Sequence, residues 1–534
     1  MSVTEVYLRQ NVCVRPLIGR WLATEQHVPP VQAALNVKNV QLEILRSYVE
    51  APEFHWKATQ TPALIGGPWL EVPPERAKEV EAFLTTFEAR SRERVQLARD
   101  VEALDRLLRD EAKGGGLVPL YPRVPDALRG YVELAYDASH QPSARYFESL
   151  LYRSKYYDAS LQEVALHLLH GDHRAPAFTT PVLDTDPVLL LRRPFASEAL
   201  DELFLAKTQA RSFGELCERL GVTGASTEMF RAMFTTDAPR APERSAEPSA
   251  KNDGLRVRYF GHACVLLETA ELSILVDPVI SYGYEGGPDR YTYADLPEHI
   301  DFVALTHFHK DHVNLETLLQ LRCRVGAIIV PKNQGGAVQD PSFRLMLENI
   351  GFKHVIELDR FETLRVAGGE VTGLPFLGEH ADLDVQAKCG YNFRLANRSV
   401  VCAADAANVE PRMYGFIRRH IGEVDMLFLG MECVGAPLTT TYGGVVLRPL
   451  SREFDQQRRT TGSDYAGAMG IVRALEPKEV YIYAMGLEPW LGHLLPIENN
   501  RDALGITESD RVVAECRQSG LMADRPHCKL ERQL

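Results

Sequence analysis

One six-residue stretch constrains this chain more than any other. The apolar run Phe302-Val303-Ala304-Leu305-Thr306 leads into His307-Phe308-His309-Lys310-Asp311-His312. A short continuous apolar run reads as a buried strand, and four potential metal ligands follow at its C-terminal end. His307 and His309 stand two apart, so in an extended turn both imidazoles face one point. Asp311 and His312 come after the chain reverses and face a second point beside it. Imidazole nitrogens suit zinc and iron, and a carboxylate suits a harder metal. The segment therefore predicts a two-metal site with ions about 3.5–4 Å apart. Exposed histidines in an ordinary polar loop would not need the apolar strand that delivers them.

The surrounding texture supports a sandwich of sheets. Residues 255–260 alternate like a half-buried strand, Gly261-His262-Ala263 turns the chain, and 264–268 form a second strand. A third, 272–276, ends in Asp277-Pro278, where proline cannot continue the ladder. Later strands near 325–330, 400–404 and 426–430 alternate with helices, which predicts two sheets face to face with helices outside. At 534 residues the chain exceeds a single core. The Pro-, Ala- and Ser-rich, charged stretch 236–254 reads as a linker or surface strap between an α+β domain, 1–235, and a catalytic domain, 255–534. In the first of these, Pro74 to Lys113 carries apolar residues at helical spacing until Gly114-Gly115-Gly116. Unbroken, it would span about 60 Å, so a break near Ser91 or a partner helix is expected. It serves as a core helix or as a dimer seam.

A formal charge of −13 disfavours binding to a nucleic-acid backbone. Nine cysteines, an odd number without paired spacing, argue against a disulfide framework and a four-cysteine zinc site. Cys389, Cys402 and Cys433 read as small buried apolar residues. No basic-then-apolar leader opens the sequence, and no apolar run approaches the ~18 residues of a membrane span. A cytoplasmic protein with no membrane contact is the expectation.

On Gly261-His262-Ala263, Val276-Asp277-Pro278 and Thr306 to His312, the chain resembles the metallo-β-lactamase superfamily, over roughly residues 255–500. Its fold class is thus expected to be α/β, an αββα sandwich at the C-terminus behind a mixed α+β domain. The resemblance assigns Asp405, in Val401-Cys402-Ala403-Ala404-Asp405, as the carboxylate that bridges the two metals. It also implies a third ligand where the common pattern reads Gly-His. Here the chain reads Gly378-Glu379-His380, so Glu379 takes the position, or His380 does after a one-residue slip. The last histidine of the pattern is missing after Tyr483, and His493 is the nearest replacement, unless it lies on a surface loop.

These departures, the length and the large N-terminal domain resemble the dinuclear-iron β-hydroxylases. That family includes the chloramphenicol-pathway enzyme acting on carrier-bound p-aminophenylalanine. The resemblance implies one iron on His307, His309 and Glu379, a second on Asp311, His312 and His493, and Asp405 between them. It implies an O2-dependent monooxygenase of antibiotic biosynthesis. Its substrate would be an amino acid held as a thioester on a non-ribosomal peptide synthetase carrier domain. An external electron donor is needed, since no flavin or nicotinamide fingerprint is visible. The family's N-terminal domain is associated with dimerisation and substrate access, so a homodimer is expected. The competing reading is a di-zinc hydrolase of an ester, lactone, thioester or phosphodiester, the commoner use of this motif. Asp277 and Glu432, each at a strand end, are read as carboxylates that support the ligands, Glu432 equally as an ordinary strand-end acid. His262 is read as structural. The aromatic, glycine-rich segment 281–293 is read either as a loop over the pocket or as a surface loop.

Overall fold

A computed structural model of the chain describes residues 5–174, 178–239, 254–495 and 502–534. Its centre is a pair of seven-stranded sheets. One runs in the order Val355–Leu358, Val325–Pro331, Ile300–Ala304, Ser273–Val276, Cys264–Glu268, Arg256–Gly261, Leu530–Gln533. The other runs Thr363–Val366, Gly369–Leu374, Gly390–Leu395, Arg398–Cys402, Met426–Gly430, Glu479–Tyr483, Met522–Asp524. Each sheet is antiparallel on one side and parallel on the other, the switch falling at Ser273–Val276 and at Arg398–Cys402.

Period-two alternation puts the two sheets together. Val257, Tyr259, Val265, Leu267, Ile274 and Val276 share one core with Tyr391, Phe393, Val400, Cys402, Phe428 and Tyr481. The intervening residues are apolar as well, because both outer faces are covered. Helices Pro411–Ile421, Tyr465–Leu475 and Leu504–Gln518 close over Val401, Leu427, Leu429 and Ile482. Over the first sheet lie Leu315–Leu321, Phe343–Asn349 and the N-terminal elements, whose Val12, Val14, Leu200 and Phe204 join Leu266, Leu275 and Val303 in one cluster. The N-terminal half thus completes the core of the sandwich as well as forming its own.

That half is α+β, with a four-stranded sheet, a three-stranded sheet and a two-stranded hairpin. The predicted long helix breaks at buried Ser91 into Ala77–Arg90 and Arg92–Glu111. Leu97, Ala98, Val101, Leu104 and Leu108 are buried with Val31, Ala34 and Leu35, so the second piece is a core helix of this chain. Of the expected linker 236–254, residues 240–253 lie outside the described residues. All nine cysteines are free thiols, and Cys389, Cys402 and Cys433 are buried as expected. Among the described residues no helix is long and apolar enough to cross a membrane.

The segment 281–293 is neither a cover for the metal site nor simply a surface loop. Tyr282, Tyr291 and Tyr293 are buried in the cluster shared with the N-terminal half. Tyr282 Oη donates to Glu316 at 2.8 Å, and the Lys207 ammonium lies 4.7 and 4.3 Å from the Tyr282 and Tyr293 ring centres.

Candidate metal centre

The C-terminal ends of the parallel strands meet at one rim, and the chemistry-bearing residues sit in the loops that leave them. These loops are conformationally demanding. His262, Asp277, Glu379, Ala404, Cys433 and Ala484 all have positive φ, between 38° and 67°. Each such residue costs about 1–3 kcal/mol and persists only where its surroundings dictate it. At position 379 the strain follows Gly378 (φ 86°), which has no room for a side chain. A Cβ there would stand 2.6 Å from the Ala407 Cβ and 2.7 Å from the Thr461 oxygen.

Two donor groups share His307 and lie side by side: His307, His309 and Glu379 make one, and His307, His312 and Asp405 another. A third, His262, Asp311 and His312, shares His312 with the second, and in each the ligand atoms lie within 4.8 Å of one another. Glu379 Oε1 lies 2.9 Å from His309 Nδ1, which is 3.2 Å from His307 Nε2. Asp405 Oδ2 lies 3.0 Å from His312 Nε2 and 3.9 Å from His307 Nε2, between the two groups. Asp311 Oδ2 is 3.9 Å from His312 Nε2. All these side chains are buried except that of Asp311, which is partly so.

The nitrogens not turned to the centre are held by partners. Asp277, fully buried, accepts from the Thr306 backbone N–H at 2.8 Å and the Thr306 hydroxyl at 2.6 Å, and its Oδ2 lies 2.8 Å from His312 Nδ1. His312 therefore carries a proton on Nδ1 and presents Nε2 to the centre. The Thr306 hydroxyl also touches His307 Nδ1 at 3.0 Å. Tyr442 Oη lies 2.7 Å from His309 Nε2 and 2.5 Å from His380 Nδ1, which leaves His309 Nδ1 facing Glu379. This is the arrangement expected of metal ligands oriented by outer partners. Asp277 and Tyr442 stand as outer partners of His312 and His309, and His380 contacts Tyr442.

Two expectations are corrected. His493 does not reach the cluster. Past Tyr483 the chain turns through Pro489–Leu491, and His493 Nδ1 bonds the Trp490 carbonyl at 3.0 Å in a separate cavity lined by Arg174, Tyr282 and Glu316. Among the described residues it belongs to no metal-competent group. The histidine at that edge of the cluster is His262, previously read as structural, whose Nε2 is 3.1 Å from Asp311 Oδ2. His262 Nδ1 accepts the Gly486 N–H at 3.3 Å, which turns Nε2 toward Asp311, and His262, Asp311 and His312 form a further group that could hold a metal. Tyr442 carried no signal in the sequence at all. The pointers to His262 were its place in a tight hairpin and the Gly261-His262-Ala263 motif of the resemblance.

The electrostatics of the donor groups show what they fit. Burial and then the neighbouring imidazoles hold His307 well below its ordinary value, and burial brings His309 to about 4. Burial, then the charges of Glu432 and Asp405, push Glu379 well above the carboxylate range. For Asp311, burial is outweighed by the His262 hydrogen bond and by His312, and its carboxyl is held well below its usual value. For His312, burial is outweighed by Asp405 and Asp277, and the imidazole is raised. Glu432 is hemmed in by protein yet keeps accessible surface. Burial with the charges of Asp405 and Asp311 pushes its carboxyl up to about 8. Glu379 Oε2 and Asp405 Oδ1 are buried without a hydrogen-bond partner. Neutral imidazoles and orphaned, crowded carboxylates converging on one centre fit a pair of divalent cations, and the oxygen-rich donor set favours iron over zinc.

A family model described as diiron non-heme beta-hydroxylase N-terminal domain matches residues 7–239, and a beta-lactamase superfamily domain model matches residues 256–443. The 4-amino-L-phenylalanyl-[CmlP-peptidyl-carrier-protein] 3-hydroxylase of Streptomyces venezuelae is 38% identical over 526 residues, which cover 98% of each chain. The chain belongs to the diiron β-hydroxylase family. The crystal structure of CmlA, a diiron β-hydroxylase from Streptomyces venezuelae, matches with a TM-score of 0.93 at 37% identity, covering all of both chains. A glutamate-to-aspartate variant of CmlA matches at 0.91 and 38% identity, covering 99% of this chain and 100% of that one. The C-terminal metallo-β-lactamase sandwich, the diiron cofactor and the oxygenase class expected from the resemblance are thereby borne out.

Proposed function

We propose that this diiron β-hydroxylase inserts oxygen at the β-carbon of an aromatic amino acid such as 4-aminophenylalanine. The substrate is held as a thioester on a non-ribosomal peptide synthetase carrier domain, and the reaction serves antibiotic biosynthesis in the cytoplasm. The observation that carries the reading is Glu379 Oε1 at 2.9 Å from His309 Nδ1, a carboxylate where the hydrolytic pattern has a histidine. Its support is the similarity, over nearly the whole chain, to an enzyme named for that reaction.

His307 Nε2, His309 Nδ1 and Glu379 would hold one iron, Asp311 and His312 Nε2 the other, and Asp405 would serve both. When bound, a pair of irons would supply O2 activation, the overall balance being one oxygen atom into the C–H bond and the other into water with two protons and two electrons from an external donor. The protein's own part is orientation. Asp277 and Tyr442 fix the faces that His312 and His309 present, and His262 holds Asp311. Glu432 stands at the mouth as the remaining carboxylate able to take up or release a proton. Residues 1–235 shape the approach to the site and supply the surface for a homodimer.

The test is O2 uptake and product analysis with iron-loaded protein and a carrier domain bearing 4-aminophenylalanine. The expected product is the carrier-bound 3-hydroxy amino acid, formed with one O2 consumed per turnover. Equal turnover of the free amino acid, or O2-independent release of the acyl group, would overturn the reading. The second of these outcomes would point to the hydrolase alternative.

A further inference from the structure

Glu25 is a carboxylate that the metal ligand set does not use, brought to the site by the N-terminal half. We propose that it binds the α-ammonium of the aminoacyl thioester and so sets which C–H bond faces the irons. The inference rests on the proposed substrate class.

Its seat is built. Glu25 opens the turn Glu25–His27, which follows the strand Trp21–Leu22 and is closed by Thr24 Oγ1 at 3.2 Å from His27 Nδ1. Gln26 Nε2 donates to the Thr441 carbonyl at 3.2 Å. That contact fastens the turn beside Tyr442, whose hydroxyl touches the ligand His309. Glu25 is 3% exposed, and its Oε2 has no hydrogen-bond partner. Burial, opposed by its own backbone N–H and by Lys310 and reinforced by Asp311, pushes the carboxyl up to about 8. The geometry places this turn beside Tyr442 and, through it, His309, and the charges of Lys310 and Asp311 act on the Glu25 carboxyl. Lys310 acts on it only at a distance: its ammonium sits 3.9 Å from the Phe178 ring centre, and among the described residues no ion pair joins it to Glu25.

A buried carboxylate oxygen without a donor is costly unless a ligand supplies one. The α-nitrogen of an amino acid lies about 2.5 Å from its β-carbon by bond lengths alone. A β-carbon facing the irons therefore forces the ammonium against the residues next to the ligands. Glu432 is the other free carboxylate there, but it keeps accessible surface that water can satisfy, whereas Glu25 does not.

The experiment measures binding of loaded carrier domains to iron-loaded wild type, Glu25→Gln and Glu25→Asp, with iron content and Tm as folding controls. The carriers bear 4-aminophenylalanine, phenylalanine, or 3-(4-aminophenyl)propionate, which lacks the α-amine. Wild type is expected to favour both aminoacyl carriers over the des-amino carrier by about 100-fold, the scale of leaving a buried charge unpaired. Glu25→Gln removes that preference by weakening only the aminoacyl carriers, and Glu25→Asp retains part of it. The wild-type comparison needs no variant, so a variant that fails to fold leaves the proposal exposed to refutation. No preference in wild type, an equal loss for all three carriers, or a preference kept in Glu25→Gln each overturns it. Dependence on Glu25 for 4-aminophenylalanine but not for phenylalanine would assign it to the ring amine and overturn it as well. A wild type that hydroxylates none of the carriers would instead sink the substrate reading.

Discussion

The sharpest test of the metal centre replaces Asp277 by Asn. Asp277 Oδ1 accepts the Thr306 N–H at 2.8 Å, and Oδ2 faces both the Thr306 hydroxyl at 2.6 Å and His312 Nδ1 at 2.8 Å. An asparagine that keeps its oxygen on the Thr306 N–H must turn its NH2 toward His312 Nδ1. That nitrogen then has to accept, so the imidazole proton moves to Nε2, 3.0 Å from Asp405, where the second iron belongs. The opposite amide orientation leaves the buried Thr306 N–H unpaired, at about 1–3 kcal/mol. Losing an outer partner of this kind weakens metal binding about 10–100-fold, or about 1.4–2.7 kcal/mol at 1.36 kcal/mol per decade. Asn adopts the 38° φ of this position more readily than most residues, so the fold survives. Iron titration against a chelator should show one ion held as in wild type and the other weakened by that factor. Two ions bound with unchanged affinity would refute the assigned tautomer, and simultaneous loss of both would refute the division into two groups.

Glu379→His is expected to keep the fold but shift metal competition from iron toward zinc and reduce O2-dependent turnover at least tenfold. Metal analysis together with O2 uptake checks both, and unchanged iron content would remove Glu379 from the ligand set. His493→Ala should retain both ions and cost only about 1–3 kcal/mol of stability, seen as a lower Tm, since it breaks a buried hydrogen bond remote from the cluster. Loss of one iron in that variant would restore the ligand role withdrawn above. Gly430→Ala places a Cβ against Asp405 Oδ1 and 2.8 Å from the Ala404 carbonyl. Overpacking of this kind costs about 1–3 kcal/mol, and the variant should lose the coupling between the irons in Mössbauer spectra; an intact coupled pair would argue against Asp405 as the bridge.

What the sequence disclosed and what it hid divide along the range of the interactions. The segment 307–312 is legible because strand, reversal and ligands are neighbours in the chain. Asp405 was found through the resemblance, which expects a carboxylate at the end of that apolar strand. Ser91 could be located because a forty-residue helical pattern had to break to pack. The partners of the ligands are different. His262 meets Asp311 across 49 residues and Tyr442 meets His309 across 133, and nothing near either residue announces those contacts. The same reason explains the error at His493. A missing ligand was sought downstream of the last strand, whereas the fold closes that edge with the first hairpin. The aromatic segment 281–293 was misread because its texture does not reveal that the N-terminal half lies on top of it.

The charge balance at the rim links the fold to the chemistry. Asp311, Glu379 and Asp405 converge with Glu432 nearby, while the imidazoles of His307 and His309 are held neutral by burial. Without cations such a group of carboxylates would repel, and the strained loops that carry them would have no reason to hold. Replacing an imidazole by a carboxylate at 379 adds one more negative charge and one more hard donor, which favours iron and stabilises it as its charge rises. The N-terminal half brings the turn that carries Glu25 beside Tyr442, with Gln26 donating to the Thr441 carbonyl. The sandwich by itself would accommodate either hydrolysis or oxygen chemistry. The carboxylate at 379 is the feature that would favour the second use over the first.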